Sequence, residues 1–368
     1  MSGEVHTSVE RVRRVVGLYG DPSVSWSIAL EVELADPPDS ATLTRRAAAI
    51  VAAHPHLGIA PTVVEHRGAA TLQDFGDRLY GDRDPLVRIA VGADRLLVAA
   101  HHGAVDGLGL IGLIGLLLER PLGCTATGVS RTGEEPGFVR GNLQRLGEAL
   151  WRPPTRFAAT ATDPGASGDV YATAEVPQFR GGTAALAWAA TRALDEWNRG
   201  SDQAGRRTQP VVAMGVSRRS GAPPLAPDRD TAYTRIRARG VTSQRAMTDV
   251  LRATAPEPDF PLAEPRRVDP VRMVTRALGG RLGSSLLVSN LGLLRPAESG
   301  VTAARIWPAP AGPNGVAVGL ASGSAGGDVT TQLTVRMRRG WFDPDASQRL
   351  AALILEALAS SDDAQRPR

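Results

Sequence analysis

His101-His102-Gly103-Ala104-Val105-Asp106-Gly107 lies between two apolar stretches, and the reading of the whole chain turns on it. Upstream, residues 86–91 and 95–100 have strand composition and flank Gly92-Ala93-Asp94, a short hairpin turn, so the histidines arrive at the end of a strand. Downstream, residues 108–118 are continuously apolar and read as a buried helix. The run is about half of what a membrane span needs, and Glu119-Arg120 ends it. One loop therefore carries two imidazoles and a carboxylate. An imidazole, with an ordinary pKa near 6.5, can accept a proton and return it at neutral pH.

A second pattern overlaps this loop. Gly107-Leu108-Gly109-Leu110-Ile111-Gly112 spells GxGxxG, follows a strand and opens a helix, which taken alone is a dinucleotide fingerprint. It does not lie in a first βα unit, and no strand ending in Asp or Glu follows about 20 residues on, where a ribose contact belongs. The glycines are expected instead to let a buried helix pack closely.

Composition narrows the classes. The 368 residues exceed one ordinary core and predict two units of roughly 150–200 residues; a hydrophobic content of 42% rules out a mostly disordered chain. The net charge of +4 comes from 42 basic residues that are all arginine, spread along the chain among 38 acidic ones. No basic stripe points to nucleic acid. The single cysteine, Cys124, forms no internal disulfide. The first 14 residues lack the apolar stretch of a signal peptide, so a soluble, cytoplasmic protein with no membrane span is expected. His54, His56 and the other histidines lack the third ligand of a metal site, and none is expected.

Strands and helices alternate on both sides of the loop. Strands are expected at 25–34, 171–176, 209–216, 284–289, 316–320 and 329–337. Helices are expected after Ser40 as N-cap, from Thr183 as cap to Asn198, over 269–279, and after Asp343-Pro344. Residues 151–170, rich in Pro, Gly, Ala and Thr, mark a linker or crossover. The division is an N-terminal unit over 1–160 and a C-terminal unit over 161–368.

His101-His102-Gly103-Ala104-Val105-Asp106-Gly107 resembles the HHxxxDG signature of the chloramphenicol acetyltransferase-like superfamily, which includes condensation domains and polyketide-associated and wax-ester acyltransferases. Residues 43–57 resemble the first helix of that group, and Ala213–Arg219 its strand ending in arginine. Val288-Ser289-Asn290-Leu291-Gly292 resembles its Ser-Asn-x-Gly element. The chain is shorter than a typical condensation domain and lacks an Asp-Phe-Gly-Trp-Gly segment, which leaves the subfamily open.

The resemblance implies an α/β (α+β) fold of two such subdomains in a V-shaped pseudo-dimer with a central tunnel. It implies acyl transfer from an acyl-CoA or acyl-carrier-protein thioester to a hydroxyl or amine of a small-molecule acceptor in natural-product or lipid biosynthesis, with no cofactor beyond the donor's phosphopantetheine. His102 takes the role of general base and His101 a structural one. Asp106 holds the loop by pairing with Arg219, or alternatively Arg218. Gly107 admits the substrate and offers an N–H to the oxyanion. Ser289 and Asn290 line the acceptor channel or simply end a strand. Two other readings keep the cleft: a non-catalytic docking module for a carrier protein or partner enzyme, and a cyclase.

Overall fold

The computed structural model describes residues 12, 24–81, 83–128, 146–179, 181–201, 209–257, 283–296, 299–310 and 315–363. The expected helix at 269–279 lies outside them.

The first unit is built on β1 (Ser27–Leu34), β2 (Val63–Glu65), β3 (Val87–Val91) and β4 (Arg95–His101). Nearly every residue of β1, β3 and β4 is buried, on both faces, which is why these strands read as apolar runs rather than alternations. One face packs on α1 (Ser40–Ala53) and α3 (Gly107–Leu118) through Ile28, Leu30, Val32 and Val98. Ala29, Leu97 and Ala99 on the other face meet Leu72 and Phe75 of α2 (Ala69–Asp77).

The second unit contains β6 (Asp169–Glu175), α4 (Thr183–Trp197), β7 (Val211–Ser217), β8 (Thr231–Arg237) and α5 (Gln244–Ala253). It continues with β9 (Leu286–Arg295), β11 (Val316–Ala325), β12 (Asp328–Arg338) and α6 (Ala346–Asp363). Its strand order is β6-β12-β11-β9-β7-β8, with β5 (Gly123–Cys124) paired to β9. A core of alanines and leucines from α4, with Leu350 and Ile354 of α6, covers one face. Phe157 joins that core, and Thr155 donates to the carbonyl of Gln209, so the crossover stretch packs with the second unit from there on.

One strand breaks the sequential division. β10 (Val301–Trp307), which follows β9 in the chain, pairs antiparallel with β1 and forms the edge of the first sheet, in the order β10-β1-β4-β3-β2. Its backbone also lies against β11: a Cβ at Gly319 would overlap the carbonyl oxygen of Ile306, and one at Gly323 would come 2.6 Å from the amide nitrogen of Ala303. Two glycines thus let this strand touch both sheets.

Some boundaries differ from the sequence reading. Asp39, not Ser40, caps α1, its carboxylate accepting the Thr42 N–H at 2.8 Å. Gly182, not Thr183, precedes α4. β9 continues past Ser289 to Arg295 because a bulge at Leu291, followed by Gly292 at φ 67°, lets the strand bend without ending.

Candidate active site

β4 delivers His101 and His102 to the end of the first sheet. The His101 N–H donates to Leu86 O and the His102 N–H to Trp26 O, both at 2.8 Å, so the strand pairing on either side extends one residue into the motif. His101 is buried at 4% exposure. Its Nδ1 accepts the Gly103 N–H at 3.1 Å, and its ring meets Tyr80 edge-on at 5.1 Å between centroids. Those contacts hold the ring within the first unit.

His102 is only partly buried. Its Nδ1 lies 3.2 Å from the carbonyl oxygen of Val105. A carbonyl can only accept, so the contact is a hydrogen bond when Nδ1 carries the proton, and the neutral ring then has its lone pair on Nε2. The loop's own backbone thus favours the tautomer protonated on Nδ1.

Asp106, 3% exposed, organises the loop around it. Its Oδ1 accepts the Gly109 N–H at 2.7 Å, capping α3, and Arg219 Nη2 at 2.8 Å. Its Oδ2 accepts the Asp230 N–H at 3.0 Å and the Thr231 hydroxyl at 3.3 Å. Arg219, just past β7, also binds Asp228 and donates to Ala226 O at 3.0 Å. Of the two candidate arginines, Arg219 is the carboxylate's partner, while Arg218 gives its backbone N–H to Asp230 O at 3.0 Å. The sequence reading missed the segment 225–231; its only signal there was a Pro/Asp-rich turn.

The GxGxxG glycines serve that same contact. A Cβ at Gly109 would overlap Asp228 O, and one at Gly112 would overlap Leu225 O. The helix packs backbone to backbone on the segment that holds Asp106. Across the site, His56 Nε2 lies 2.9 Å from Pro227 O, fixing the same segment from the first unit.

Gly107 starts α3, where helix geometry gives its N–H no partner within the helix. A Cβ there would lie 3.0 Å from Leu291 Cδ2, so the bulge of β9 points a side chain at the motif. Asn290 spends its carboxamide locally: Oδ1 accepts the Gly292 N–H at 2.9 Å and Nδ2 lies 3.4 Å from the Thr183 hydroxyl. Ser289, its neighbour on β9, is partly buried. Among the described residues no group of three His, Cys, Asp or Glu side chains is arranged to hold a metal ion, and no helix is long and apolar enough to cross a membrane.

No protein-family model matches the sequence, and no curated protein is similar to it. Solved structures are similar over nearly the full length. The first condensation domain of the calcium-dependent antibiotic synthetase, in complex with a substrate analogue, superimposes with a TM-score of 0.58 at 17% identity, covering 97% of this chain and 96% of its own. The starter condensation domain of rhizomide synthetase, a mutant in complex with C8-CoA and Leu-SNAC, gives 0.55 at 14% identity, covering 98% and 94%. The EpoB cyclization-docking bidomain from Sorangium cellulosum gives 0.53 at 14% identity, covering 99% and 84%. The fold is that of the condensation domains on which the chain superimposes.

Proposed function

We propose that this chain is an acyltransferase that moves an acyl group from a thioester to an amine or hydroxyl, with His102 as general base. The observation that carries the reading is the Val105 carbonyl at His102 Nδ1, which leaves the Nε2 lone pair to act as base. In the proposed reaction Nε2 removes the acceptor's proton as its nitrogen or oxygen attacks the thioester carbon. The negative charge develops on the former carbonyl oxygen, which the Gly107 N–H at the positive end of α3 stabilises. Collapse breaks the C–S bond, and the imidazolium returns the proton to the departing thiolate. Asp106 touches neither reactant; it holds the loop.

The donor, an acyl-CoA or an acyl-carrier thioester, reaches His102 between the two sheets, where the motif of the first unit meets β9 of the second. Enclosure there would keep water from hydrolysing the thioester. Likeness to condensation domains captured with C8-CoA and with a substrate analogue supports this reading and an origin in natural-product assembly. Likeness to a cyclization-docking bidomain supports a variant in which the same attack closes a ring. The test is release of free thiol from a panel of acyl-CoA and acyl-carrier donors with amine and alcohol acceptors. Acceptor-dependent release is expected. Its absence across the panel would leave the docking-module reading.

A further inference from the structure

Arg336 of β12 is 1% exposed, although a guanidinium remains charged at any ordinary pH. Its Nε donates to Asp169 Oδ2 at 2.6 Å, which accounts for its charge within the second sheet. Its two terminal nitrogens leave that sheet. Nη1 donates to Ser27 O at 2.6 Å, and Nη2 to Gly76 O at 2.8 Å, with Ser25 Oγ 3.5 Å away.

These acceptors bracket one residue. Trp26 has φ 54°, the left-handed region that side chains with a Cβ rarely enter. Such a conformation persists where the surroundings over-determine it. Here the hydroxyl of Ser25 binds Gly76 O and also accepts the Ser27 N–H at 3.3 Å, while Arg336 holds Ser27 O. The carbonyl that this turn presents, Trp26 O, is the acceptor of the His102 N–H at 2.8 Å. Ser27 itself is in register with His101.

We infer that Arg336 is a positioning residue for His102: from the second sheet it fixes the left-handed turn at Trp26 whose carbonyl seats the histidine. The inference rests on His102 being the base, but its first test needs no turnover. Arg336→Lys keeps the charge, yet a single ammonium cannot serve Asp169, Ser27 and Gly76 with the fork geometry of a guanidinium. In the full-length chain, the imidazole ¹⁵N resonances of His102 should move from one dominant tautomer toward a mixture, with a displaced titration midpoint. Those of His54 and His56 should hold. Arg235→Lys, at another buried arginine of the same unit, one that binds Glu148 and Gly283 O, should leave His102 unmoved. Ser25→Ala loosens the same turn from the first unit and serves if Arg336→Lys does not fold. An active protein should then lose about a hundredfold in kcat with KM held. His102 resonances unchanged in folded Arg336→Lys or Ser25→Ala, or shifted equally in Arg235→Lys, overturn the inference. If the resonances shift as described while no donor is ever turned over, the acyl-transfer reading fails and the positioning of His102 stands.

Discussion

Arg219 Nη2 and Asp106 Oδ1 lie 2.8 Å apart across 113 residues of chain, and the same carboxylate oxygen caps the helix that begins at Gly107. One side chain thus fixes the start of α3 and ties the motif to β7 and the segment that follows it. Removing it would leave the guanidinium, two backbone amides and the Thr231 hydroxyl short of an acceptor.

Asp106→Ala should therefore lower stability by about 3–5 kcal/mol, the scale for breaking a buried charged pair. Arg219→Ala should cost less, because its side chain is 20% exposed and the carboxylate keeps its other donors. In urea unfolding, the double variant should be little worse than Asp106→Ala alone. Strictly additive losses would show that the two are not coupled.

His102→Ala should reduce turnover by roughly 10²–10⁴-fold while leaving the thermal midpoint and donor binding nearly unchanged. His101→Ala should do the opposite first, lowering the midpoint through the lost Tyr80 and Gly103 contacts. Steady-state kinetics beside a melting curve separate the two. Full activity in folded His102→Ala would sink the general-base assignment.

Gly109→Ala and Gly112→Ala should destabilise by about 1–3 kcal/mol each through overpacking, since each added methyl meets a carbonyl oxygen of 225–228. Gly147→Ala, in a helical turn with nothing within 4 Å of the added carbon, should instead stabilise by up to ~1 kcal/mol. Equal effects at all three positions would contradict the backbone-to-backbone packing of α3.

Glu31 gives a pH prediction. Burial pushes its carboxyl upward, but the hydrogen bond from His66 at 2.9 Å and the charges of Arg305, His66 and Arg95 outweigh it, so the group sits below the ordinary carboxylate value. A carboxyl depressed in the folded state contributes stability above its unfolded pKa, near 4.3, and loses it as pH falls through the folded value. Glu31→Gln should be less stable than the parent at pH 7, and the gap should shrink below about pH 4. A gap independent of pH would mean that the ion pairs there contribute nothing.

Much of this architecture is legible from residues alone, and the parts that are not have common causes. The hairpin 87–101 and helix 107–118 follow from apolar runs and turn residues that act over a few positions. α2 escaped notice because it is short and starts after Gly68 with no side-chain cap. β10 is not among the strands expected from the sequence, and nothing local says that its partner lies more than 250 residues earlier in β1. At the site, HHxxxDG names the loop and Ala213–Arg219 supplies its arginine. Trp26 and Arg336 left no trace, because a left-handed tryptophan and a buried arginine gain their meaning only from backbone carbonyls that fold into reach.

The placement of β10 also governs how the chain can be divided. A fragment ending before residue 160 would leave Ser27–Leu34 as an open, largely apolar edge, a template for self-association. The complementary fragment would carry Val301–Trp307 with no strand to complete. Exchange of one half for that of a relative would therefore need the strand 301–307 to travel with the first 160 residues. What looks in sequence like two interchangeable blocks is a clasp, and recombination that respects only the linear boundary would open it.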